Sequence, residues 1–182
     1  MNLRLALAEL WLPAFLRRRE LVRLFKLTAE AFDAPLPTLS GRAFDPMLET
    51  YSRWTSGLSA SVAEDEIRSA AIRARLHDLA FAFGRSARNR LGLRTRGQVI
   101  RGARLLYGIL SIDFKGAPDG DIVINRCFFS RDYTPKTCAL MSGLDEGVLA
   151  GLSGGGRLEF SARITENKAV CRARFDFQGG SP

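Results

Sequence analysis

Apolar residues recur along this chain at two periods, helical in the first half and alternating in much of the second. Over residues 2–32, Leu3, Leu7, Leu10 and Ala14 fall at helical spacing, with Trp11, Phe15, Val22, Phe25 and Phe32 as a second stripe. Pro13 divides this segment, because proline has no backbone N–H and its ring collides with the preceding turn. Asp33 to Ser40, with Pro35 and Pro37, reads as a connector, and Phe44 to Trp54 as a short helix. Ser61 and Glu64 stand at capping-box spacing and open a long helix. Its inward stripe is Ile72, Leu76, Leu79, Phe83 and Ala87, and Gly92 marks its end. A further helix is predicted from Thr95 to about Leu106, weakened by Gly97 and Gly102.

Beyond that point alternation takes over. Tyr107 to Lys115 and Asp121 to Phe129 read as antiparallel strands joined by the turn Gly116-Ala-Pro-Asp-Gly120. Thr134 and Pro135 suit the N-cap and first position of a helix that runs to about Leu152, before Ser153-Gly-Gly-Gly156. Arg157 to Thr165 turns Leu158, Phe160, Ala162 and Ile164 inward. Glu166-Asn-Lys168 leads into Ala169 to Phe177, where Cys171, Ala173, Phe175 and Phe177 share one face. Gln178 to Pro182 reads as a loose tail. The predicted fold is α+β: N-terminal helices followed by a β-β-α-β-β unit with a four-stranded antiparallel sheet. Residues 1–40 are taken as an amphipathic basic helix and connector. Residues 41–178 are taken as a single α+β domain, with the cysteine-bearing unit at 105–178.

Charge adds a class of partner. The net charge is +8 and the pI about 10.1, and of 27 basic residues only Lys26, Lys115, Lys136 and Lys168 are lysine. Arginine predominates, which suits bidentate contact with phosphate or carboxylate. Leu79 to Ile112 holds no acidic residue and seven arginines, among which Arg94, Arg96, Arg101 and Arg104 are the candidate anion-binding set. An anionic membrane surface or a carboxylate ligand fits such a block. Nucleic acid ranks behind them, since no nucleic-acid motif accompanies it. The alternative is a solvated basic face. The first helix, with Arg17, Arg18, Arg19, Arg23 and Lys26, is open to the same two readings: docking on anionic lipid, or packing on the domain with its arginines in water. The N-terminus lacks the layout of a signal peptide, and no run of about 18 apolar residues occurs. An odd, widely spaced set of three cysteines argues against a secreted disulfide framework and for a reduced, cytoplasmic location.

Those cysteines are the candidate chemistry. Cys127 ends a strand, Cys138 lies in the first turn of the following helix, and Cys171 points inward from the last strand. A helix start and the nearby Lys136 are expected to lower the pKa of Cys138 and make it a reactive thiolate. Asp145 and Glu146 are the candidate polar partners, with a solvated helix face as their alternative. The single histidine, His77, is read as a surface or packing residue. The spacing Cys127-x10-Cys138-x32-Cys171 is not that of a zinc ribbon, but three thiolates leave a fourth position open on an iron or zinc ion. The alternative is three buried thiols acting as small hydrophobes.

Cys127-Phe-Phe-Ser130, Cys138 and Cys171-Arg-Ala-Arg-Phe175 resemble the L-2-amino-thiazoline-4-carboxylate hydrolase-like proteins and the related 4-vinyl reductase domain. More distantly they resemble the plant β-carotene isomerase family, whose additional helix cysteines this chain lacks. The likeness covers about a third of the chain. It implies a small cysteine-site enzyme acting on a small or lipophilic substrate, with an iron-dependent isomerase or a ligand-binding module peripheral to anionic membranes as alternatives.

Overall fold

The computed structural model describes residues 2–39 and 43–177. The reading of Gln178 to Pro182 as a tail, and the end of the connector at Ser40, lie outside the described residues.

Five helices precede the sheet: α1 (Leu3–Leu10), α2 (Ala14–Phe32), α3 (Phe44–Ala60), α4 (Glu66–Leu91) and α5 (Arg96–Ile109). Then come β1 (Asp113–Gly116), β2 (Asp121–Arg126), α6 (Pro135–Ser153), β3 (Arg157–Ala162) and β4 (Cys171–Asp176). The fold is therefore α+β, with an antiparallel sheet in the order β1-β2-β4-β3.

Local chemistry sets most boundaries. Pro13 separates α1 from α2. The long helix starts not at Ser61 but after Asp65, whose carboxylate accepts from the Arg68 N–H at 2.9 Å. Ser61 instead closes α3, its hydroxyl donating to the Leu58 carbonyl at 2.7 Å. Gly92 ends α4 at φ +64, a left-handed conformation that costs glycine little. Thr95 and Gln98 form a reciprocal capping box that opens α5.

All four strands are shorter than predicted, β4 running only over Cys171–Asp176. Tyr107 to Ile109 belongs to α5, which runs through Gly108 because no proline intervenes before Ser111, where the chain turns at φ +56. Only Asp113–Gly116 pairs as β1. The second strand stops at Arg126, and Phe128–Arg131 winds into a 3-10 turn closed by the Ser130 hydroxyl on the Cys127 carbonyl at 2.7 Å. Likewise β3 ends at Ala162, and Ile164–Glu166 is a second 3-10 turn.

The sheet has one apolar face. Ile122, Ile124, Leu158, Cys171, Ala173 and Phe175 are buried, while Arg172, Arg174, Glu159 and Asp121 alternate with them toward water. Leu5, Leu21, Phe25, Met47 and Leu76 join the same core, so α1 and α2 contribute to it along with residues 41–178. Within α4 the buried residues are Ile72, Leu76, Ala80, Gly84 and Ala87, with Leu79 and Phe83 only partly covered. No helix among the described residues is long and apolar enough to cross a membrane.

Candidate functional site

Helix α6 has two working faces. Along one, Gly143, Gly147 and Gly151 let α4 approach so closely that a methyl group added at Gly147 would lie 2.2 Å from the His77 carbonyl oxygen. That contact orients the other face, which carries Cys138, Met141, Ser142, Leu144, Asp145 and Val148 toward the sheet. Between them lies a cavity of about 120 Å³ whose surface is almost wholly apolar. Residues of α5, the sheet, Glu20 and Leu24 of α2, Phe83 of α4 and the aromatic group Tyr51, Phe129 and Tyr133 complete its wall.

The aromatic wall is held by hydrogen bonds across elements. Tyr51 and Thr28 share one of 2.8 Å, and Tyr133 and Thr55 one of 2.6 Å. The Ser52 hydroxyl donates to Asp132 at 2.6 Å and the Ser56 hydroxyl to the Asp132 carbonyl at 2.7 Å, tying α3 to the segment before α6. The Tyr51 and Phe129 rings meet edge to face at 6.0 Å, and Phe129 stacks on Tyr133 at 5.4 Å.

All three cysteines line this one cavity. Position in the chain and position in space act oppositely on Cys138. It does sit in the first turn of α6, behind a Thr134 cap that accepts from the Thr137 N–H at 3.1 Å. Its thiol, however, lies on the buried face, and burial raises its pKa above the ordinary value, against the expectation from the helix start. The Thr165 hydroxyl is directed at it but makes no hydrogen bond of good geometry. Burial pushes Cys127 up to about 12 and raises Cys171, whose sulfur accepts from the Ile164 N–H at 3.4 Å. Lys136 is spent elsewhere, on Glu64 at 2.8 Å. The metal reading of Cys127, Cys138 and Cys171 finds no support in the geometry. Among the described residues no three His, Cys, Asp or Glu side chains are placed to hold a metal ion.

Asp145 is the unusual group. Protein surrounds it, yet it keeps accessible surface, as a carboxyl at a cavity wall does. Burial raises its pKa to about 6. The Tyr107 hydroxyl, donating at 2.7 Å, and the more distant Arg163 pull it down, and neighbouring Glu146 pushes it up. Tyr107 is itself shifted well upward by burial and by this carboxylate, so it stays a donor. Glu146 points away to Arg73. His77 bonds Asp78 at 3.1 Å and stacks on Phe81, outside the cavity.

The predicted arginine set does not reach the cavity either. Arg94, Arg96, Arg101 and Arg104 are exposed along α5 and its approach. Arg96 lies over the Phe177 ring at 5.0 Å, and Arg101 pairs with Glu9. Sequence reasoning missed Tyr51, Tyr107 and Tyr133. The signal for Asp145 was present: it follows Met141 by four residues and precedes Val148 by three, about one turn each way, on the apolar side of α6.

Comparison with family models, curated proteins and solved structures finds no match to this chain.

Proposed function

We propose that the chain binds a small, mostly apolar molecule in the cavity beside α6 and exchanges a proton with it through Asp145. One observation carries this reading: the Asp145 carboxyl, raised to about 6 and held by Tyr107, faces a nearly all-apolar cavity of about 120 Å³, whose other carboxyl, Glu20, is already paired with Arg19, Arg23 and Arg90. A volume near that of an engineered cavity known to take benzene suits a ligand of about one ring. A carboxyl that titrates near neutrality is matched to taking a proton and returning it, the requirement for general acid–base work. The proton leaves a polar or acidic position on the ligand for an Asp145 oxygen and returns to the ligand, so no other reactant is needed. The raised thiols favour this carboxyl over a cysteine nucleophile as the reactive group, although the likeness to hydrolase-like proteins implies the latter. Cys127, Cys138 and Cys171 then serve as polarizable wall.

The test is thermal unfolding with a panel of one-ring phenols, ketones and carboxylic acids, at pH 5 and pH 8. A ligand that binds only the native state raises the melting temperature with its concentration. Shifts should occur in the wild type, change between the two pH values, and lose that pH difference in Asp145→Asn. Leu144→Phe, which fills the cavity from a partly covered position, should abolish them. Shifts that persist in Leu144→Phe, or a pH difference that survives in Asp145→Asn, would sink the proposal.

A further inference from the structure

Residues 3–15 expose an unusual amount of apolar surface. Leu3 is 62% exposed, Leu7 58%, Leu10 82%, Trp11 74% and Phe15 67%, while Leu5 alone among the α1 residues is buried. Leu3, Leu7 and Leu10 recur at helical spacing, so one face of α1 is turned to solvent along its whole length. Trp11 and Phe15 extend this surface across the link to α2.

The surroundings are cationic. Glu9 is the sole acid among residues 1–19, and Arg101 neutralises it. Arg4 and Arg17 make no ion pair with a carboxylate among the described residues, and Arg104 is a second cation beside the same Glu9. Glu9, Arg17, Arg101 and Arg104, with Leu12 and Ile109, line an open groove of about 500 Å³ beside α1.

We infer that this face docks on an anionic lipid bilayer. A protein partner would need only shape and apolar contact. The pairing of a leucine stripe and an interfacial tryptophan with arginines that outnumber the one nearby acid, Glu9, matches a surface with an apolar boundary layer under negative headgroups. The apolar side chains enter the boundary. Arg4 on α1 and Arg104 at the groove face the headgroups, where guanidinium forks phosphate well. Ile109 lines both the groove and the cavity, so the docking face adjoins the cavity wall; the inference does not depend on what the cavity binds.

Full-length protein is sedimented with phosphatidylcholine vesicles, with and without about one third phosphatidylglycerol. Binding is expected to the anionic vesicles, weakening between about 0.1 and 0.5 M salt. Leu7→Asp/Leu10→Asp, at positions already exposed, should keep the wild-type melting temperature and lose at least about tenfold in affinity. Arg4→Glu/Arg104→Glu should reduce anionic binding and leave any residual neutral binding unchanged. Tryptophan emission should shift to the blue on binding in the wild type and not in Trp11→Phe. The inference is overturned if the wild type ignores anionic vesicles or binds neutral ones equally well. It is also overturned if the aspartate variant binds unchanged, or if that variant merely splits a concentration-dependent dimer. RNA binding with a steep salt slope in place of vesicle binding assigns the arginines to nucleic acid and overturns it as well.

Discussion

At Asp145 a single charge is set against its surroundings. Its pKa in the folded protein, about 6, lies above the ordinary carboxylate value, so the folded state binds the proton more tightly than the unfolded chain does. Stability is therefore greatest below about pH 4 as far as this group is concerned, falls as pH rises toward 6, and is level above that. The loss is at most about 3 kcal/mol. Asp145→Asn keeps an acceptor for Tyr107 and removes the charge. It should raise the unfolding free energy at pH 8 by on the order of 1 to 3 kcal/mol and leave it unchanged at pH 4, read from urea denaturation. A variant less stable than wild type at pH 8 would mean that the carboxylate is held by partners favouring its charged form. A destabilising residue retained in the core is the kind of feature a functional site tolerates. The cysteines show the complementary case. A helix start lowers a thiol pKa by a modest electrostatic effect, and burial of Cys138 outweighs it.

Among the elements, the α4–α6 pair decides the geometry of the site. The glycines of α6 and Gly84 of α4 bring the two backbones together, with a methyl at Gly84 placed 2.4 Å from the Val148 carbonyl oxygen. Such contacts cannot be relieved by a rotamer change, because the clashing atom is backbone. Gly147→Ala is expected to push the helices apart and cost about 1 to 3 kcal/mol or more, despite alanine's better helix propensity. Gly57→Ala, where a methyl meets nothing within 4 Å, should be neutral or stabilising by up to about 1 kcal/mol. Thermal unfolding of the two variants separates propensity from packing; equal effects would refute close packing at Gly147. The helix–helix contact was legible as a small residue every fourth position in α6. Its partner surface on α4 was not, because Ala80 and Gly84 carry no apolar signal that distinguishes them from solvent-facing residues.

On the scale of the whole molecule, α1 is joined to the body by few groups. Leu5 is fully buried, and the Asn2 side-chain amide donates to the carbonyls of Leu91 and Gly92, each at 2.8 Å. Leu5→Ala should therefore cost about 2 to 5 kcal/mol if α1 packs as an integral element, and Leu10→Ala no more than about 0.5 kcal/mol. Similar small losses for both would show that α1 is held only loosely. Buried Glu20 does the same service for α2, pairing with Arg19 and Arg23 on its own helix and reaching Arg90 of α4 at 3.4 Å. The basic charge of the chain is thus partly spent inside the fold and partly presented at the α1 face.

The order of the helices, the antiparallel unit after them and the inward face of β4 were determined by the sequence alone. Periodicity, caps and turn residues act over a few positions, and Thr95, Gly92 and Thr134 sit where those local rules put them. The extent of the first two strands was not so determined. Tyr107 and Ile109 satisfy a strand alternation and a continuing helix equally, and the α5 capping box with no proline before Ser111 decided for helix. Only the tertiary structure decided which titratable group matters. A pKa in a folded protein follows burial and neighbours far apart in the chain: Cys138 is raised by a wall that closes over it, and Asp145 meets Tyr107 across 38 positions. It also decided that the apolar stripe of α1 is left uncovered. Leu3, Leu7 and Leu10 have the spacing of a core-facing helix, yet the body beneath α1 receives only Leu5, and no local pattern carries that information.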